Sequence, residues 1–403
     1  MLYSSTVFAR SASSILAHIT RLPAELASHP LLFTLSTNTP ASSLSQLVAA
    51  LSSLSSSGSV GCLVAPTPPP PGVPGAIACS MAFFHGRHAT PFRSDIPGRP
   101  ETQVGRWHAM RSKGEEEVRG GEPVFGVTHG EVDWERIWRR SIKDGAVPPA
   151  LRGLGKEDVH TIITLTDNAP QGLNESLSCF PLASKLGLFC SSTPFVTGRP
   201  YTLFYNGSVN SSGAVGIALS GGPRPTLQRA FPDLRVITPP LKVTGSDGNL
   251  VHQLDNRNPI AHLVSAIEES ALTGRAAKDD EFYLGVLRDG DLWQVHHITS
   301  GGLSRGTMAL ETETAPGKGT SVQIFHRPSD HISLDVLPGA AKNTLTFVVS
   351  PQSESVPAKE GEATVTVVED SFVATSENGF MLSKEDETAW TCVAPGSQGR
   401  LAW

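Results

Sequence analysis

The sequence LLFTLSTNTPASSLSQLVAALSSLSSSGSVGC, residues 31–62, decides how the first part of the chain folds. It opens with the apolar run Leu31 to Thr37, and the preceding His29-Pro30 prevents a helix from continuing into it, so a buried strand is predicted. Apolar residues then recur at helical spacing over residues 42–54, and a second short strand ends at Gly61-Cys62. The stretch therefore predicts a strand, a helix and a second strand in succession.

A similar pattern returns further along the chain. VHTIITLTD, Val159 to Asp167, is rich in β-branched residues and predicts a strand, which is followed by a helix from Leu173 to Phe180. The turn at Asn210 to Gly213 lies between two β-rich runs and predicts a hairpin, as does Asp289-Gly290. A helix is predicted at Ile260 to Thr273, after which nearly all the sequence is typical of strands and turns.

These elements predict an α+β fold with two mixed αβ units and a predominantly β C-terminal part. The chain has 403 residues, which exceeds the roughly 250–300 residues at which one core stops growing, so two domains are expected. We place them at residues 1–265 and 266–403. Residues 86–124, rich in Gly, Pro, Arg and Glu, are predicted to form a flexible insertion in the first domain.

The first twenty residues have two interpretations. They contain Arg10 and five serines but no acidic residue, which is the composition of a mitochondrial presequence. They also fit an ordinary helix with Ser11 or Ser13 as N-cap and with Ile15 and Ile19 facing a core. We favour the helix.

Composition excludes several kinds of partner. The formal charge is −6, and no block of Lys or Arg could neutralise a row of phosphates, so we expect no nucleic-acid binding. No apolar run reaches the length of about 18–20 residues that crosses a bilayer, so no membrane insertion is expected. Five cysteines without a C-x-x-C pair favour a reducing compartment, and we expect an intracellular protein of the cytoplasm or nucleus, with the mitochondrion as an alternative.

Catalytic motifs are weak. Gly302 to Gly306 fits G-x-S-x-G with Ser304 as nucleophile, but the following TMALETET alternates like a strand, whereas a nucleophile elbow requires a helix there. Cys62 could act as a nucleophile only if a helix N-terminus or a base lowered its pKa. His85 and His88 lack a metal-ligating partner at suitable spacing, and His296-His297 would point to opposite faces of a strand. We therefore predict no catalytic residues, no metal site and no cofactor.

One part of the sequence is similar to a known family. Gly213 to Leu263 combines a glycine-punctuated strand, a Pro-Pro-Leu-Lys-Val-Thr run at Pro239 to Thr244, and a Gly248-Asn249 turn. In this order the elements resemble the N-terminal FIST domain. Val295 to Arg327, with its Pro-Gly turn and Val-Gln-Ile-Phe strand, is similar to the C-terminal FIST domain.

The resemblance implies a function in sensing. FIST domains act as input modules in bacterial signalling proteins, and in the F-box only protein 22 family they are joined to an F-box that recruits substrates to a ubiquitin ligase. Leu22 to Leu26 superficially matches the start of an F-box, but His29-Pro30 ends that helix within two turns. We expect the FIST half of that family without a convincing F-box.

A ligand site is predicted where strand ends meet loops, because open sheets bind ligands at that edge. Freed backbone N–H groups and the Asn168 amide are suited to a small carboxylate or an amino acid. The candidate residues are Gly61, Cys62, Asp167, Asn168, Gly221, Gly222, Asn249 and Asp255.

We therefore expect a non-enzymatic sensing or signal-transduction module that binds a small ligand. The first alternative is a protein-interaction adaptor linked to ubiquitin-dependent degradation, and the second is an uncharacterised hydrolase that acts through Ser304 or Cys62. The sequence names neither the ligand nor the protein partner, and it leaves the oligomeric state open.

Overall fold

The computed structural model describes residues 1–70, 75–96, 147–269, 280–302, 306–312, 314–328, 342–350, 365–385 and 387–403. The described part of the chain is predominantly β, with 46% strand and 16% helix. The predicted α+β fold is therefore wrong. The main reason is that many strands have only three to five residues, too few for the alternation of apolar and polar side chains to show in the sequence.

The first sheet, sheet I, has seven strands. They are β1 (Tyr3–Ala9), β2 (Leu31–Ser36), β3 (Ser59–Val64), β4 (Ile77–Phe83), β8 (Leu203–Tyr205), β9 (Ser208–Asn210) and β20 (Val365–Glu369), in the order β20-β1-β4-β2-β3-β8-β9. Two helices cover its outer face, α1 (Ala12–Ile19) and α2 (Ala41–Ser53). Helix α1 and its N-cap Ser11 confirm the prediction for the N-terminal region, whereas the preceding strand β1 was not expected.

The second sheet, sheet II, has six strands. They are β5 (Ala89–Ser94), β6 (Val159–Thr166), β7 (Ser184–Phe189), β10 (Ala214–Ser220), β22 (Phe380–Ser383) and β23 (Trp390–Cys392), in the order β23-β22-β7-β6-β10-β5. Helix α3 (Gln171–Leu177) connects the parallel strands β6 and β7. Strand β5 lies inside the segment 86–124 that the sequence predicts to be an insertion.

Sheets I and II repeat one topology. In sheet I the strands β1-β4-β2-β3-β8-β9 are antiparallel neighbours except for the parallel pair β2 and β3. In sheet II the strands β5-β10-β6-β7-β22-β23 show the same sequence of pairings, with β6 and β7 parallel. A helix joins the parallel strands in both cases, α2 in sheet I and α3 in sheet II. The two sheets are therefore topological copies of one unit.

One apolar layer lies between the two sheets. Cys62 of β3, Ile163 of β6 and Leu188 of β7 belong to it, and all three are fully buried. Neighbouring residues on two of these strands point outward, Leu63 of β3 toward α1 and α2 and Ile162 of β6 toward α3. The alternation of side chains along a strand thus gives four layers, with one layer of helices outside each sheet.

A third, four-stranded sheet packs into the same layer. It contains β11 (Thr226–Ala230), β19 (Thr344–Val349), β21 (Ser371–Ser376) and β24 (Gln398–Ala402), in the order β11-β24-β19-β21. Phe347 and Phe372 carry its contact with the shared core.

The remaining strands form a six-stranded barrel. They are β13 (Leu241–Asp247), β14 (Leu250–Leu254), β15 (Glu281–Arg288), β16 (Asp291–Gly302), β17 (Thr307–Leu310) and β18 (Ser321–Arg327), and a short β12 (Arg235–Val236) pairs with β18. The barrel closes because β18 pairs with both β13 and β15. It takes strands from both sides of the predicted boundary at residue 265, and the domain limits stay a prediction.

The remaining helices are short or peripheral. Helix α4 (Pro194–Thr197) precedes β8, and helix α5 (Pro259–Glu269) confirms the helix predicted near Ile260 and packs Ile260 into the barrel core. Two 3-10 helices are Ala24–Ser28 and Pro149–Leu151. Residues 132–142, VDWERIWRRSI, have apolar side chains at helical spacing and predict a further helix, which lies outside the described residues. None of the helices in the described part of the chain is long and apolar enough to cross a membrane.

Two hairpin predictions had different outcomes. The Asp289-Gly290 turn is confirmed, since it joins the paired strands β15 and β16. The hairpin predicted around the turn Asn210 to Gly213 is wrong, because β9 before it pairs in sheet I and β10 after it pairs in sheet II. The hairpin in this region turns instead at Asn206-Gly207, where both residues have positive φ, 48° and 79°.

We predict that Gly61→Ala destabilises the fold by about 1–3 kcal/mol, because a side chain there would overpack the interior. A Cβ at Gly61 would lie 2.7 Å from the ring of Phe33, and at the topologically equivalent Gly187 it would lie 2.5 Å from the Met381 side chain. Gly187→Ala should therefore have a similar cost. Urea unfolding measures both, and Gly153→Ala, where nothing lies within 4 Å, is the control. Equal unfolding midpoints for all three variants would contradict this packing account.

Candidate functional site

The eight candidate residues occupy three separate places. Cys62 and Asp167 are both close to Cys190, which lies directly after β7. Burial, hydrogen bonding to Cys62 and the charges of Asp167 and Glu377 raise the pKa of the Cys190 thiol. Both Cys62 and Cys190 are free thiols and fully buried. Cys62 therefore has no access to an external substrate, which argues against a role as nucleophile.

Asp167 and Asn168 lie at the loop after β6. The Asp167 carboxylate accepts hydrogen bonds from the backbone N–H of Ala169, at 3.0 Å, and of Gly213, at 2.6 Å. Asn168 is exposed beside it. Gly61 lies in the middle of β3, under the ring of Phe33. In this structure Asp167 connects the loop after β6 to the segment before β10, and Gly61 leaves space for the Phe33 ring.

The other four candidates lie elsewhere. Gly221 and Gly222 have φ of 70° and 72° and lie against the imidazole of His88. Asn249 donates from Nδ2 to the Leu310 carbonyl, and Asp255 accepts from the Lys242 N–H, both within the barrel. The structure thus brings Cys62 and Asp167 together and leaves the glycine pair and the barrel residues apart from them.

The ends of β6, β7 and β21 meet near Cys190. The residues that connect them there include Glu377 and Asn378, which are not among the predicted candidates. Glu377, after β21, accepts a hydrogen bond from the Ser191 hydroxyl at 2.7 Å and one from the Ser192 N–H. Asn378 donates to the carbonyl of Cys190 at 3.0 Å. Burial, followed by the charges of Asp167, Cys190 and Glu377, raises the pKa of Tyr201. Ser191 and Glu377 are 186 positions apart in the chain, so no local pattern joins them.

A surface groove of about 420 Å³ lies between α2 and the β8–β9 hairpin, and we call it the α2 groove. Such a volume suits a small ligand, although the groove is open to solvent rather than enclosed. Its lining residues come from α2, from the segment after α4 and from the hairpin: Leu44, Ser45, Val48, Ala49, Ser52, Thr197, Arg199, Thr202, Phe204, Gly207 and Val209.

Local sequence determines the walls of the α2 groove. Leu44 and Val48 are one helical turn apart on α2, so both face the groove side of the helix. Phe204 of β8 is the opposite apolar wall, and its ring stacks on Phe33 at 5.6 Å and 20°. Arg199 is the cation among the lining residues; its guanidinium is exposed and donates to the Ser211 hydroxyl at 2.8 Å.

The equivalent strand of sheet II also packs against its helix. Phe204 on β8 pairs with Gly61, and the topologically equivalent residue Met381 on β22 pairs with Gly187. Asn174 of α3 donates to the Met381 sulfur at 3.2 Å, so α3 and β22 are in direct contact. Phe204 and Met381 are about equally buried, with 4% and 3% of their surface exposed, so the α2 groove lies at the surface above a packed strand.

The hydrolase motif and the metal candidates gain no support from the described residues. Ser304 itself lies outside them, but Gly302 pairs with Thr307, so the motif joins two antiparallel strands rather than a strand and a helix. No group of three or more His, Cys, Asp or Glu side chains in the described ranges could hold a metal ion.

His296 and His297 lie on opposite faces of β16, as predicted. His297 contacts Glu311 at the surface, at 3.1 Å. His296 is buried beside Trp390, where β16 of the barrel meets β23 of sheet II, and its Nδ1 has no hydrogen-bond partner within the described residues. Burial lowers the pKa of His296 from 6.5 to about 4.

Comparison with known proteins agrees with part of the resemblance. Residues 175–257 match the FIST N domain, which supports a FIST domain protein. FIST domains are a sensory family in signal transduction and are not a known enzyme family. No protein in the curated set that was searched matches the chain. The matched residues contain Cys190, Arg199 and the β8–β9 hairpin, whereas the similarity of Val295 to Arg327 to a C-terminal FIST domain stays a prediction.

We predict that acid weakens the fold through His296. The buried imidazole is harder to protonate in the folded state than in the unfolded state. The free energy of unfolding is therefore unaffected by His296 above pH 6.5 and falls progressively between pH 6.5 and about pH 4. At about 1.4 kcal/mol per pH unit, the loss amounts to about 3 kcal/mol.

Urea unfolding at pH 7 and pH 4.5 measures the effect, with His296→Leu beside the wild type. The leucine variant should lose less stability on acidification, while the control His297→Leu, on the exposed face of the same strand, should behave as the wild type does. An equal loss in all three proteins would show that His296 has no such effect.

Proposed function

We propose that this protein is a non-enzymatic sensing module that binds a small carboxylate, such as an amino acid, in the α2 groove. The single observation that carries this proposal is the groove itself, which joins an apolar floor to a cation. Leu44, Val48 and Phe204 offer the apolar surface, and the Arg199 guanidinium has a planar set of N–H donors that matches a carboxylate.

The position of the α2 groove supports a role in signalling. The segment that matches the FIST N domain contains β8 and β9 at the groove, and it continues through β10 in sheet II, β11 in the third sheet, and β13 and β14 in the barrel. A ligand that stiffens the β8–β9 hairpin would act on a segment shared by every sheet. This gives a physical route by which occupancy of the groove can alter a distant surface.

The strand ends near Asp167 remain a predicted second ligand contact, together with Asn168 and the other candidate residues. Asp167 and Glu377 already accept hydrogen bonds there from backbone N–H groups. Two carboxylates would repel a ligand carboxylate, so this region fits the amino group of an amino acid better than its carboxylate. We place the protein inside the cell as part of the proposal, because its cysteines are free thiols.

A protein-interaction adaptor is the second candidate function, and one observation favours it. Phe195 on α4 is fully exposed, and Val209, which lines the α2 groove on the edge strand β9, is 43% exposed. Large exposed apolar side chains are the feature that surfaces for binding other proteins share. A link to ubiquitin-dependent degradation stays part of this alternative.

We predict that Arg199→Ala weakens the binding of hexanoate and of leucine about tenfold, because the variant loses a charge-assisted contact worth about 1.4 kcal/mol. Ligand-observed NMR titration, which detects millimolar affinities, measures both dissociation constants. Arg224→Ala is the matched control, since Arg224 is also an exposed arginine but lies outside the groove. Equal affinities for the wild type and Arg199→Ala would rule out this carboxylate site.

A further inference from the structure

A second pocket of about 370 Å³, which we call the serine pocket, adjoins the α2 groove at Ser52. Its lining consists of serines, one glycine and one asparagine: Ser52, Ser55, Ser56, Ser57, Gly58, Ser59 and Asn206. Ser52 lines both the groove and the pocket, and on the facing wall the consecutive residues Asn206 and Gly207 belong to one each. The two spaces are therefore adjacent along both walls.

The two ends of the combined cleft differ in chemistry. At one end, the serine pocket adjoins the C-terminal end of α2 and the Asn206-Gly207 turn. At the other end, Arg199 is bonded to Ser211, which follows the last residue of β9. A ligand that fills the cleft therefore lies along β9, with its anionic group at the Arg199 end and its polar groups at the serine end.

The length of the cleft exceeds that of a single amino acid. Leu44 and Ser52 are eight residues apart on α2, which corresponds to about 12 Å at about 1.5 Å per residue, and the serine pocket continues further. An extended polypeptide advances about 3.3 Å per residue, so about four residues fit.

The chemistry of the walls fits a polypeptide backbone. Strand β9 is an edge of sheet I, so one side of its backbone has no neighbouring strand among the described residues. The Ser52 hydroxyl is buried and has no partner within the same residues. The hydroxyls of Ser56 and Ser57 donate to carbonyls and keep lone pairs that can accept N–H groups.

We propose that the ligand is the C-terminal end of an extended polypeptide. Its terminal carboxylate binds Arg199, its last side chain is apolar and contacts Leu44, Val48 and Phe204, and the preceding residues follow β9 into the serine pocket. A chain end is favoured over an acidic side chain because a C-terminal residue carries its carboxylate and its apolar side chain on the same Cα. The two groups can therefore contact the Arg199 guanidinium and the apolar residues of the groove together. This inference rests on the proposed function, whose site it extends.

The test compares two probes, hexanoate and the tetrapeptide acetyl-Ser-Gly-Ser-Leu with a free carboxylate, by calorimetric or NMR titration. The tetrapeptide should bind at least tenfold more tightly than hexanoate, and the same peptide with an amidated C-terminus should lose that advantage. Ser52→Phe, which narrows the junction, should weaken tetrapeptide binding. Ser56→Trp fills the serine pocket from an exposed position outside the α2 groove, so it should remove the advantage and leave hexanoate binding within about twofold of the wild type.

Ser53→Phe is the matched control, because Ser53 is the next residue on α2, is exposed and lines neither space. It should keep the affinity of the wild type for the tetrapeptide. A tetrapeptide that binds no more tightly than hexanoate overturns this inference and leaves the proposed function standing. The absence of binding by either probe overturns both, and tight peptide binding that survives both Ser52→Phe and Ser56→Trp places the peptide elsewhere.

Discussion

Sheets I and II bury their inner faces against one another through residues such as Cys62, Ile163 and Leu188, and this contact determines where the other elements lie. Because side chains alternate along a strand, burying one face of each sheet leaves an apolar outer face that needs helices to cover it. The third sheet and the barrel also join this layer, the barrel through Tyr283 and Phe325. Ligand access is consequently restricted to places where the outer cover is incomplete.

The α2 groove is such a place. It lies on the outer side of sheet I, where α2 and the β8–β9 hairpin leave an open space of about 420 Å³ that Leu44, Val48 and Arg199 help to line. Phe204 and its topological equivalent Met381 are about equally buried, so both copies of the repeated unit are packed at this strand. The combination of an apolar lining with an exposed cation is the structural reason to assign the site there.

The sequence predicted elements whose signals are local. Strands β2 and β6, helix α2 and the Asp289-Gly290 hairpin follow from apolar runs, helical spacing and turn chemistry over a few residues. The α+β fold class was wrong because short strands such as β8 and β9 depend on pairing with distant partners rather than on their own composition. The resemblance to the FIST N domain was correct for residues 175–257.

The α2 groove could not be predicted for the same reason. Leu44 and Phe204 face each other across it, yet 160 positions separate them in the sequence, and only the pairing of β3 with β8 brings them together. Gly61 was singled out as a strand-end residue, and the structure instead places it beneath Phe33. Cys62 and Asp167 both lie close to Cys190, and Glu377 approaches the same place from a distant part of the chain.

Hydrogen–deuterium exchange of the wild-type protein with and without saturating leucine tests the central claim most directly. If the α2 groove is the ligand site, exchange slows in residues 41–54 of α2 and 203–210 of the β8–β9 hairpin, while the equivalent β22 and α3 in sheet II are unchanged. Protection confined to the loop at Asp167 and Glu377, with none at α2 or the hairpin, would contradict the account and return the site to the strand ends.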